Sequence, residues 1–140
     1  MKRWITAAFA LLWLGALAAC SSPNRGAWGG TFDGSVAGVV EFRINARGTA
    51  LEGRLEGETV EGQPFVAEME GRIEGSAFYA TFEGDGRAGL YPVPFKGFMK
   101  GILDAGRGAG DWEAQLEDPL GRPQGGKLIG TWTVEQLAGS

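Results

Sequence analysis

The sequence contains no histidine and a single cysteine, Cys20. Without histidine it lacks the commonest general base, the usual metal ligand and the side chain that titrates near neutral pH. Ser-His-Asp and Cys-His catalysis, histidine-bound zinc and histidine-ligated haem are excluded by inventory. One cysteine closes no internal disulfide. The expectation is therefore a fold with no cofactor and no metal. Basic residues are outnumbered too, 13 Lys and Arg against 17 Asp and Glu, net −4. Phosphate recognition needs a basic face, so no nucleic-acid partner is expected. Electrostatic attachment to anionic lipid is disfavoured for the same reason.

Long apolar runs are also missing, apart from one at the start. Met1-Lys2-Arg3 is a short cationic segment, and no residue from Trp4 to Ala19 is charged. A cationic start, an apolar stretch and a small-residue exit form the pattern of a cleaved secretory signal. The run is shorter than the roughly 20 apolar residues of a spanning helix. Its exit, Leu17-Ala18-Ala19-Cys20, resembles the lipobox of bacterial lipoproteins. That resemblance implies cleavage between Ala19 and Cys20, a thioether-linked diacylglyceryl group on Cys20, and acylation of the new amino terminus. Ser21 in place of Asp after the cysteine implies, in a Gram-negative cell, the periplasmic face of the outer membrane. Residues 1–19 are thus expected to be a lipoprotein signal peptide, 20–26 a lipidated tether and 27–140 one folded domain. Losing Lys2 and Arg3 takes the 13 basic residues to 11 against 17 acidic, net −6. At ~3.5 Å per residue the tether reaches roughly 20 Å at most, which keeps the domain close to its membrane.

Beyond residue 26 no segment has helical periodicity. Apolar residues instead recur at every second position, as in Val40-Glu41-Phe42-Arg43-Ile44 and Trp112-Glu113-Ala114-Gln115-Leu116. Such alternation marks strands with one buried and one wet face. Strands are expected near 27–33, 36–45, 49–57, 65–74, 77–83, 95–104, 110–117 and 127–136. Gly34-Ser35, Arg47-Gly48, Gly62-Gln63-Pro64, Gly75-Ser76 and Gly106-Arg107-Gly108 supply turns. Two longer connections, 84–94 and 118–126, are expected. The fold class is all-β, an antiparallel meander, with eight strands enough to close a small up-and-down barrel. Glycine is abundant, 25 residues. Gly53, Gly71, Gly97, Gly101 and Gly130 share the apolar parity, where glycine makes room for a facing aromatic or lets a strand bend. Glu52-Gly53-Arg54-Leu55-Glu56-Gly57 nearly repeats as Glu70-Gly71-Arg72-Ile73-Glu74-Gly75, a strand recipe reused along a meander.

Trp28, Phe32, Phe78, Phe82, Trp112 and Trp132 mostly lie on the apolar parity. They are candidates for a ligand pocket, although core packing is the expected role. Trp28-Gly29-Gly30-Thr31-Phe32 and Gly130-Thr131-Trp132 resemble strand ends of lipocalin- and avidin-type barrels, an architectural likeness that implies no binding residue. Leu90 and Tyr91 are candidates for partner contact, or for a plug folded over the barrel mouth. Glu52, Glu56, Glu58, Glu61, Glu68, Glu70 and Glu74 are expected to form a solvated face with cross-strand ion pairs to Arg54 and Arg72. The function this suggests is non-enzymatic: a lipid-anchored cell-envelope protein that binds a protein partner or supports an envelope assembly. A carrier of a small apolar ligand is the alternative, and a carboxylate-based hydrolase is a distant third.

Overall fold

A computed structural model describes residues 21–59, 61–88 and 90–138. The expected signal segment 1–19, with the expected cleavage residue Ala19, and the expected lipidation residue Cys20 lie outside the described residues. Eight antiparallel strands follow one another: β1 (Gly26–Gly34), β2 (Ala37–Ile44), β3 (Ala50–Glu58), β4 (Pro64–Glu74), β5 (Ala77–Ala88), β6 (Tyr91–Asp104), β7 (Arg107–Glu117) and β8 (Pro123–Gln136). Each pairs with the next, and β1 pairs with β8 from Trp28↔Gln136 to Gly34↔Gly130, closing the barrel. Closure gives every strand a neighbour on both sides, leaving one-sided pairing only at strand ends.

Alternation explains which side chains fill the interior. Along β2, Val40, Phe42 and Ile44 are buried, while Val39, Glu41 and Arg43 are exposed. The core is wholly apolar, with no buried polar or charged residue among those described. Two inward glycines illustrate the fit. A Cβ on Gly130 would lie 2.5 Å from Trp112 Nε1, and one on Gly101 would lie 2.7 Å from Trp132 Cζ2. Both glycines leave space that an indole occupies.

The last four strands are each longer than the sequence suggests. β5 and β6 continue through the expected 84–94 connection, pairing as far as Ala88↔Tyr91. Within this stretch Pro92 and Pro94 cannot donate to a ladder. Here β7 partners of β6 begin only at Phe95, so residues 91–94 pair on the β5 side alone. On such a one-sided stretch proline need not interrupt the ladder. β7 begins at Arg107 because the turn before it is Ala105-Gly106, both at positive φ (52° and 77°), one position earlier than Gly106-Arg107-Gly108 implies. β8 begins at Pro123, which shortens the second long connection to residues 118–122. A register shift between Ala114 and Leu116 marks a bulge there, spanned by Gln115 Nε2 donating to the carbonyls of Gln124 (3.2 Å) and Gly125 (3.3 Å).

Candidate functional site

The inward aromatics form two groups, stacked along the barrel axis. At the end where β1 starts and β8 finishes, Trp28 stacks on Phe42 (6.0 Å between centroids), Phe42 meets Phe78 (5.3 Å) and Phe78 meets Trp132 (4.7 Å). These rings fill their end. The Trp132 Nε1 donates to the carbonyls of Asp111 (3.1 Å) and Lys100 (3.3 Å). A buried indole needs such a partner.

The second group lies toward the β1–β2, β3–β4, β5–β6 and β7–β8 turns. Trp112 meets Phe32 edge-on (5.9 Å), Phe32 meets Phe65 (6.3 Å), Phe65 meets Phe95 (5.6 Å) and Phe95 meets Phe82 (6.4 Å). These rings surround rather than fill the space. They line a partly open cavity of about 70 Å³, completed by Val36, Leu55, Met99, Ala114, Leu116 and Leu128, with Thr59 and Gly86 at its wall. The surface it presents is apolar throughout. A bound water needs polar partners, and this lining offers none, so the cavity suits an apolar group.

The six aromatic candidates are therefore divided. Phe32, Phe82 and Trp112 line the cavity, whereas Trp28, Phe78 and Trp132 belong to the packed end. Phe65, Phe95, Leu55 and Leu116 line it as well. Their inward parity was legible, but their height along the axis was not. Leu90 and Tyr91 form the tip of the β5–β6 hairpin, 91% and 78% exposed. They stand out from the barrel, so neither folds over the mouth as a plug. Leu120, at the tip of the adjacent β7–β8 hairpin, is exposed to 76%. It sits in Asp118-Pro119-Leu120-Gly121, within the expected 118–126 connection, where no periodicity marks its one apolar residue.

That turn is held by Asp118. Its carboxylate accepts the backbone N–H groups of Leu120 and Arg122 and the Arg122 Nε–H, each at 2.9 Å. The Arg122 backbone bond is the largest influence on the carboxyl. Desolvation opposes it, the guanidinium and Leu120 N–H add to it, and the net pKa falls below the usual carboxylate value.

The glutamates of β3 and β4 stand on the exposed outer wall. The cross-strand ion pairs expected there do not form: Arg54 pairs with Glu56 (2.7 Å) and Arg72 with Glu74 (4.0 Å), each along its own strand. Residues i and i+2 share a strand face, which allows this. Glu52 faces Glu70 and Glu68 faces Glu83 directly across the ladder. Among the described residues no group of three or more Asp, Glu, His or Cys is placed to hold a metal ion. No protein-family model, curated protein or solved structure matches this chain.

Proposed function

We propose that this chain is a lipid-anchored, non-enzymatic protein of the cell envelope that binds a protein partner through the open end of its barrel. The observation that carries this reading is the mouth. An apolar cavity of about 70 Å³ opens beside two adjacent hairpin tips bearing the exposed Leu90, Tyr91 and Leu120. Single exposed apolar residues are ordinary, but three at one end of a barrel, beside an apolar opening, favour a contact surface. Support for the anchor is the lipobox resemblance of Leu17-Ala18-Ala19-Cys20, with β1 starting six residues after Cys20. Support for a non-enzymatic role is the absence of histidine together with carboxylates that stand exposed on the outer wall.

The carrier reading draws support from the apolar lining, but the volume weighs against it. The cavity is about half the ~150 Å³ of an engineered site that admits benzene. It is well below the ~300–1,000 Å³ of usual ligand pockets. An apolar side chain presented by a partner suits it better. Photo-crosslinkers placed in the lipidated protein at Leu90, Leu120 and, as a control, Ile102 on the outer wall test this. The expected result is protein crosslinks from the two mouth positions and not from Ile102. Equal crosslinking at all three, or saturable fatty-acid binding that shifts Trp112 emission, overturns the partner reading. The anchor has its own test: Cys20→Ala is expected to leave the membrane fraction, and unchanged partitioning refutes lipidation.

A further inference from the structure

The direction in which the mouth faces follows from where the chain enters the barrel. The Ser22 N–H donates to the Ala46 carbonyl at 2.9 Å, in the turn between β2 and β3. Gln136 Nε2, at the end of β8, donates to the carbonyls of Pro23 and Arg25, each at 2.8 Å. Trp28 Nε1 donates to the Asn24 carbonyl at 2.8 Å. Residues 22–25 are thus fastened to the packed end, opposite the cavity. Cys20 precedes Ser22 by two residues, at most about 7 Å of chain. β1 runs nine residues from this end toward the mouth. At a rise of ~3.3 Å per residue and a tilt of ~40°, the mouth stands roughly 20 Å from the packed end. An anchor at Cys20 would therefore hold the barrel by the end opposite the cavity.

The charge around the mouth is uneven. On the β6–β8 side the basic side chains are engaged: Lys96 with Glu117 (3.7 Å), Arg122 with Asp118 (2.9 Å) and Lys127 with Glu113 (3.2 Å). On the β3–β5 side Glu58, Glu61 and Asp85 are exposed and form no ion pair among the described residues, against one unpaired cation, Arg87. This acidic side adjoins the Leu90-Tyr91 tip. It disfavours an anionic lipid surface and favours a cationic neighbour.

We infer that the mouth, turned away from the anchoring membrane, docks a protein segment that inserts one apolar side chain into the cavity and flanks it with lysine or arginine. This rests on the proposed binding end and on the Cys20 anchor. The cavity sets the size of the inserted group. The acidic rim sets its flanking charge, which governs selectivity and salt dependence more than raw affinity.

The test uses the native lipidated protein in phosphatidylcholine nanodiscs. The probes are three short peptides, each with a central leucine flanked by lysines, serines or glutamates, alongside phosphatidylglycerol vesicles. The lysine peptide is expected to bind about tenfold more tightly than the glutamate peptide at low salt, with the difference shrinking as salt screens the rim. The triple variant Glu58→Gln, Glu61→Gln, Asp85→Asn lies on exposed positions. It is expected to erase the lysine preference, so that the lysine and serine peptides bind the variant alike. Replacing the central leucine with serine is expected to abolish binding of the lysine peptide.

Binding that is equal or tighter for the glutamate peptide, or a preference untouched by the triple variant, overturns the basic-partner inference and leaves the binding end standing. Docking of the vesicles in place of the peptides overturns the class of partner. No binding by any peptide overturns the binding end itself. Orientation is read separately with brominated lipid, which is expected to quench a label at Ser76→Cys but not one at Leu90→Cys. Equal quenching overturns the direction.

Discussion

Removing Trp112 and Trp132 in separate variants distinguishes a hollow mouth from a packed end. Both are buried, at 5% and 1% exposure. Trp132 lies against Phe78 at 4.7 Å within the filled half, and its Nε1 serves two carbonyls. Trp112 lines the cavity, meets Phe32 at 5.9 Å and donates to the Asp33 carbonyl at 3.0 Å. Deleting a buried large aromatic costs about 3–5 kcal/mol, and the spread reflects how much packing the site loses. Trp132→Ala should fall near the top of that range, because its neighbours surround it. Trp112→Ala should fall near the bottom, because part of its surface already faces empty space. Trp112→Phe keeps most of the ring and removes the donor, at a cost of about 1 kcal/mol.

Every strand of the barrel lies within residues 26–136, so residues 21–140 are suitable material. Urea unfolding followed by far-ultraviolet circular dichroism gives the free energies. Domains of this kind hold about 5–15 kcal/mol, so Trp132→Ala can fail to fold. Trp132→Phe and Trp112→Phe then provide the comparison, with the larger loss expected at Trp132 because two acceptors lose their donor. A Trp112 loss equal to or above the Trp132 loss refutes the hollow mouth.

Two further outcomes are expected. Ala105 is the only non-glycine residue at positive φ among those described, at 52°, a conformation that costs an L-residue about 1–2 kcal/mol. Ala105→Gly should stabilise the barrel by about 1 kcal/mol and raise its melting temperature by a few degrees, whereas an unchanged or lower temperature removes the strain argument. Asp118 has a lowered folded-state pKa, set first by the Arg122 backbone N–H. Its stabilisation is therefore present above the unfolded value of ~3.9 and is lost as pH falls through the lower folded value. An NMR titration of its carboxyl should show a midpoint below ~3.9, and Arg122→Ala should move that midpoint only part of the way back, since the backbone bonds persist.

Eight strands and their faces were determined by the sequence itself. Period two is a local property, so Val40, Phe42 and Ile44 declare their side without knowledge of the partner strand. The same locality places Trp28, Phe32, Phe82, Trp112 and Trp132 inside, and the inward glycines between them. The charge balance and the absence of histidine also need no fold to be read. Three things were decided only in the closed barrel. The ends of β5 and β6 depend on which neighbour each residue pairs with: residues 91–94, with Pro92 and Pro94, pair on one side alone because β7 partners begin only at Phe95. Ion pairing depends on rotamers as well as register, and so Arg54 turns to Glu56 along its strand rather than across the ladder. The division of the aromatics into a packed group and a cavity lining depends on each residue's height along the barrel axis. That height is set by the stagger of eight strands and by β1 meeting β8 about a hundred residues later in the chain, and no local pattern carries it.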